Sequence, residues 1–178
     1  MRPARGGRRA RPAVPQEPDS AEAAYLEAVK RLARQPQSRA TLASRLGRAG
    51  YTEAAVVAAL DRAEASGYLD DREFAASLVR RRAAGRGHAL IAQELHSRGI
   101  GEAAAGAALE QLAPEGEAQQ ALELGRRLLA GKHPADAQEL LGLVGPRLAR
   151  RGFNAGLVYR VCRTLSEELQ AAGAFDRV

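Results

Sequence analysis

The chain has 178 residues, room for one ordinary domain or several small modules, and its 46% apolar content is largely alanine, with aromatics at only 4%. That composition suits thin, closely packed helices and disfavours a β-sandwich, whose strands draw on branched and aromatic residues. A net charge of +6 points to an acidic partner, and a single cysteine, Cys162, excludes an internal disulfide and fits a reducing, cytoplasmic compartment.

The first stretch, MRPARGGRRARPAVPQEP, carries Arg2, Arg5, Arg8, Arg9 and Arg11 but no apolar core or cleavage site, so it does not read as a secretory signal. Residues 1–19 are expected to be a disordered basic tail, because Pro, Gly and Arg bury too little surface to order themselves. Apolar spacing then predicts helices over 20–34, 38–48 and 52–65, a first three-helix module within 20–67. A second module, 68–113, holds helices 71–83, 87–97 and 101–112; a third, 114–172, holds 116–130, 136–150 and 154–171; residues 173–178 form a short tail. Ser20, Ser38 and Asn154 are good N-caps, Asp70 with Glu73 makes a helix-start box, and Pro114 followed by Glu115 and Glu117 marks another start. Pro146 falls inside the eighth predicted helix, which it is expected to kink or shorten. No apolar run approaches the ~20 residues of a membrane span.

The three modules are copies of one pattern. TLASRLGRAGYTEAAVVAALDRA (41–63), LIAQELHSRGIGEAAAGAALEQL (90–112) and LVGPRLARRGFNAGLVYRVCRTL (143–165) align without a gap. Leu42, Ile91 and Val144 coincide, as do Leu46, Leu95 and Leu148, and then Gly50, Gly99 and Gly152, each followed by an apolar residue: Tyr51, Ile100 and Phe153. Further on, Val56, Ala105 and Val158 match, then Leu60, Leu109 and Cys162, then Ala63, Leu112 and Leu165. Each glycine is expected to be the left-handed residue of a Schellman motif, with the next apolar side chain packing on the leucine five positions earlier. The expected fold is all-α: about nine helices in three tandem modules that touch only their neighbours, an elongated array free to curve.

Catalytic chemistry finds no foothold. His88, His96 and His133 lack metal-pair spacing and neighbouring cysteines, Cys162 occupies a position filled by leucine in the other copies, and no phosphate-binding loop is present. Asp70 and Asp71, an adjacent pair of carboxylates, sit where a helix start needs capping. No enzyme activity, metal or cofactor is expected. The informative feature is clustered arginine. Arg80, Arg81, Arg82 and Arg86 cluster around the end of the second module's first helix, with Arg98 after the next helix, and Arg147, Arg150, Arg151, Arg160 and Arg163 fill the third module with no acid between 147 and 163. Cations suit a helix C-terminus, by roughly 0.3–1 kcal/mol each, and three consecutive residues fan across ~200°. Three arginines followed by Arg86 in a flexible GRG turn nevertheless exceed what a dipole needs, and they read as a binding surface; for Arg150 and Arg151 the dipole explanation is equally open.

The run YLDDREFA (68–75), RRRAAGRG (80–87) and IAQELHSRGI (91–100) resembles the RecX family of recombinase regulators. Asp70, Asp71, Phe74, Ala75, Gly85, Gly87, Ile91, Glu94, Leu95, Gly99 and Ile100 stand at matching positions, with Arg98 where a lysine is common. The resemblance spans about residues 20 to 172, strongest in the middle module and loosest in the third. It implies a non-enzymatic, cytoplasmic monomer that lies in the groove of the RecA filament on single-stranded DNA. Such a protein inhibits RecA's ATP hydrolysis, strand exchange and coprotease activity, and so regulates recombination, repair and the SOS response. Binding residues carried over from the basic segment are Arg80, Arg81, Arg82, Arg86, His88 and Arg98, with weak non-specific DNA binding beside the RecA contact. Two other readings stay open: a helix–turn–helix DNA-binding protein, against which the helices TEAAVVAALDRA and GEAAAGAALEQL offer few base-reading side chains, and a non-enzymatic helical-repeat scaffold.

Overall fold

The computed structural model describes residues 15–111 and 114–173. Within them the chain forms α1 (Ala21–Arg34), α2 (Arg39–Ala49), α3 (Glu53–Ala65), α4 (Asp71–Ala83), α5 (His88–Ser97), α6 (Glu102–Glu110), α7 (Pro114–Leu129), α8 (Ala137–Ala149) and α9 (Ala155–Ala171), with no strand among the described residues. Residues 1–14 of the basic tail, with its five arginines, together with Leu112, Ala113 and the last five residues, lie outside the described residues, whereas the end of that tail is described, with Pro18 accepting the Thr52 amide at 3.0 Å.

Helix starts follow side-chain chemistry. Ser20, Ser38 and Asn154 each accept a hydrogen bond from the amide three residues on, at 3.2, 3.2 and 2.8 Å, which is why these residues cap rather than join their helices. A cap that sequence reading did not single out is Asp136, which accepts from the Glu139 amide at 2.7 Å while Glu139 accepts from the Ala135 amide at 2.7 Å. Pro146 does not shorten α8, which runs on to Ala149. The ring costs the hydrogen bond to Gly142, but both residues are exposed, so water can serve the freed carbonyl.

All three repeat glycines are left-handed, with φ of 108° at Gly50, 74° at Gly99 and 87° at Gly152. Each ends its helix with the two backbone bonds of a Schellman motif. Tyr51, Ile100 and Phe153 donate to Leu46, Leu95 and Leu148 at 3.3, 3.1 and 3.3 Å, and the glycines donate to Gly47, His96 and Ala149 at 3.0, 2.8 and 2.9 Å. The leucines are fully buried, and Ile100 and Phe153 close over theirs within the same cores. Gly67, with φ of 72°, makes the same turn after α3: Tyr68 donates to Ala63 at 2.9 Å.

The chain divides into two compact units, one ending at Asp70 and one beginning at Asp71. In the first, α1 packs chiefly on α3 through Ala24, Ala55 and Ala59, small side chains that let the two backbones approach. Leu42, Leu46, Val56 and Leu60 fill the rest of that core, each worth roughly 1.5–3 kcal/mol of burial. In the second unit, α4, α5 and α6 enclose Phe74, Leu78, Ile91 and Leu95, whereas α7, α8 and α9 enclose Leu140, Val144, Leu148 and Leu165. Cys162 lies in the latter core, 5% exposed, and burial pushes its thiol above the usual cysteine range.

Candidate functional site

The arginines predicted from the α4–α5 segment are sorted by helix geometry. Successive residues turn through about 100°, so Arg80, Arg81 and Arg82 take different directions. Arg80 reaches back to Glu73 at 2.8 Å with both side chains more than half exposed, a geometry that contributes little. Arg81 donates to the Ser77 hydroxyl at 2.9 Å. Arg82 points across to α5 and engages Glu94 with both edges of its fork, Nε to Oε2 at 2.8 Å and Nη2 to Oε1 at 2.9 Å.

Glu94 gathers two more arginines. Arg86 donates to Oε2 at 2.7 Å from the turn after α4, and Arg98, one turn beyond Glu94, donates to Oε1 at 2.9 Å. Arg98 also lies over the Phe74 ring, 5.8 Å from its centroid. The carboxylate is 13% exposed, while Arg82, Arg86 and Arg98 are 39, 44 and 38% exposed. Hydrogen bonds from Arg82, then those from Arg98 together with both charges, outweigh burial and hold the Glu94 carboxyl below its usual range. One fixed anion thus orders three guanidinium groups and leaves them cationic overall, each with donors Glu94 does not use. That arrangement recognises phosphate or carboxylate oxygens.

The GRG turn, read as flexible from its glycines, is packed against the α8–α9 corner. Gly87 donates its amide to the Arg151 carbonyl at 2.8 Å, and the Arg151 guanidinium donates to the Gly85 carbonyl at 3.3 Å. A Cβ on Gly87 would stand 2.4 Å from the Gly152 carbonyl oxygen, so this approach is open to glycine alone. Glu117 of α7 caps α5 from outside it, accepting the His88 amide at 2.9 Å, with the His88 Nδ1 3.5 Å from its other oxygen. His88 is therefore half-buried at this contact rather than displayed with the arginines.

The structure brings Arg82, Arg86 and Arg98 together, sets Arg151 beside the same turn, and leaves Arg80, Arg81 and Arg150 exposed on other directions. Glu94 and Glu117 are the organising residues sequence reading did not assign to the site. Glu94 had a local signal, its i,i+4 relation to Arg98; Glu117, 29 residues from His88, had none. Among the described residues no group of three His, Cys, Asp or Glu side chains is placed to hold a metal ion.

Comparisons with known proteins cover this region and most of the chain around it. A family model described as RecX, second three-helix domain, matches residues 70–109, which include the whole Glu94 cluster. The chain is 40% identical over 144 residues to the regulatory protein RecX of Thermobifida fusca, covering 80% of this chain and 76% of that protein. It is 34% identical over 166 residues to that of Mycobacterium avium, covering 91% of this chain and 94% of that one. Among solved structures, RecX from Lactobacillus salivarius superposes with a TM-score of 0.76 at 18% identity over 82% of this chain and 96% of that one, a likeness of fold. A second structure, of a regulatory protein RecX, gives 0.71 at 25% identity over 79% of this chain and 72% of that one.

Proposed function

Because this chain belongs to the RecX family of regulatory proteins, we propose that it is a negative modulator of the RecA recombinase, a cytoplasmic binding protein with no catalysis of its own. Residues 20–67, 68–113 and 114–172 are its working modules. It attaches to the groove of the RecA–DNA filament and inhibits ATP hydrolysis, strand exchange and coprotease activity. The observation that carries this reading is the arginine cluster on Glu94, whose three preset guanidinium groups meet DNA phosphate or acidic protein surface without the entropy cost of ordering long side chains. Held in the groove, the protein obstructs an incoming duplex and restrains the subunit interface on which RecA's ATP turnover depends.

A helix–turn–helix reader of DNA sequence is the weaker reading. The helix after the Gly99 corner, α6, exposes Glu102, Ala103, Ala107 and Glu110, methyls and carboxylates where base edges and phosphates call for donors. Cosedimentation separates the two. The protein is expected to pellet with RecA assembled on single-stranded DNA and to bind bare duplex weakly, without sequence preference and less as salt rises. Tight binding to one duplex sequence, with no preference for the filament, would overturn the proposal.

A further inference from the structure

The end of α1 carries a basic hollow unrelated to the Glu94 cluster. Pro36 holds Gln35 in extended backbone, at φ of −161° and ψ of 143°, so α1 stops and the chain turns into α2. The Gln37 side chain, 5% exposed, is buried at this connection. Its amide nitrogen donates to the Arg31 carbonyl at 3.2 Å, and its oxygen accepts from the Arg45 Nη1 at 2.6 Å. Arg31, Arg34, Gln35, Gln37 and Arg45 together line a hollow of about 330 Å³. Among the described residues Glu27 is the one carboxylate paired with any of them, holding the Arg31 Nε at 2.8 Å. No Asp or Glu occurs from residue 28 to 52, a stretch that also holds Lys30, Arg39 and Arg48. Arg39 is taken up by Asp61 and Glu64 and does not line the hollow.

We propose that this hollow is a seat for a backbone phosphate of nucleic acid, with Arg34 and Arg45 as its principal donors. The dipole of α1 accounts for cations in its last turn, but Arg45 lies outside the last turn of α2 and serves no helix end. A neutral amide holds Arg45 in place, so its charge stays uncancelled, and Arg34 is exposed with no carboxylate partner among the described residues. Three guanidinium groups against the one carboxylate leave two positive charges in excess. Arginine forks and glutamine amides are side chains that hold phosphate oxygens. No apolar or aromatic side chain lines the hollow, so it offers neither an anchor pocket for a protein helix nor an aromatic platform for a base. Contact through phosphate alone is blind to sequence. This gives the weak DNA binding of the RecX reading a site of its own, and the test omits RecA, so its failure leaves the filament reading standing.

The test uses the full chain and a fluorescein-labelled oligodeoxythymidine of about 20 nucleotides, with fluorescence anisotropy read across a range of salt. Arg34→Gln with Arg45→Gln is expected to weaken binding at least about fivefold. It should also lower the slope of log affinity against log salt by about 1.4, two phosphate contacts at about 0.7 each on a single strand. Arg34→Gln alone, at an exposed position, should lower the slope by about 0.7 with helicity unchanged by circular dichroism, so the result does not hang on Arg45's place in the fold. Lys30→Gln with Arg48→Gln removes the same charge from the same stretch but off the hollow, and should lower the slope by less than about half as much as the first pair. Equal losses from the two pairs would reveal diffuse attraction rather than a site and overturn the proposal. So would a slope untouched by the first pair. A labelled glutamate oligomer of equal charge that binds the wild type as tightly, and is lost with the first pair, would overturn it too by assigning the hollow to acidic protein.

Discussion

Glu94 is the residue on which the arginine surface turns. A chain that needed only positive charge would gain from losing this carboxylate; one that needs positioned guanidinium groups would not. Glu94→Gln is therefore expected to strengthen weak binding to naked DNA slightly and to weaken attachment to the recombinase filament, with both read by salt-controlled cosedimentation. It should also cost about 1–3 kcal/mol in urea unfolding, because three guanidinium groups lose their shared partner. The pH dependence has a definite sign. Arg82 in particular holds the folded carboxyl below the usual range, so its contribution is present in full above the ordinary value of about 4.3 and is lost as pH falls through the depressed one. The wild-type advantage over Glu94→Gln should be the same at pH 7 as at mildly acid pH and shrink only below the ordinary carboxylate range. The arginine run was visible in the sequence, and so was its fanning. Which of the three would find a carboxylate was not, because Arg82 and Glu94 lie on different helices, 12 residues apart, and meet only once α4 and α5 pack.

At the scale of elements, the helix–glycine–helix corner was legible because two strong local rules coincide: a four-residue apolar spacing and a glycine before an apolar residue. Gly99→Val places a branched side chain at a φ of 74° and should cost about 2 kcal/mol or more, seen as a lowered Tm. Gly106→Ala, in open space on neighbouring α6, should raise stability by about 0.5–1 kcal/mol. Equal effects from the two would show that the corner does not depend on left-handed backbone. The junction between α5 and the α8–α9 corner was hidden, since it rests on two glycines that leave no side-chain pattern to read. Gly87 has an ordinary φ of −76°, so Gly87→Ala tests steric approach alone. Pressed 2.4 Å from the Gly152 carbonyl oxygen, it should cost about 1–3 kcal/mol and free the His88 amide to faster hydrogen exchange. Gly85→Ala, whose Cβ would meet only the Arg151 guanidinium at 3.6 Å, should leave that exchange unchanged.

Over the whole molecule, the all-helical class, the repeat and the family could be read from residues 68–100 and their echoes, because alanine-rich apolar periodicity and three copies of one corner leave few alternative folds. The grouping of α4 to α9 into one unit could not, since its links are backbone approach and a distant carboxylate cap rather than patterned side chains. The central claim, that arginines gathered on Glu94 attach this protein to the recombinase filament and slow it, is tested most directly by RecA's single-stranded-DNA-dependent ATP hydrolysis. Wild-type protein is expected to inhibit turnover, and the combined Arg82→Ala, Arg86→Ala and Arg98→Ala variant to lose at least about tenfold in potency while retaining its helicity. Turnover unaffected by the wild-type chain, or inhibited equally by the triple variant, would contradict it.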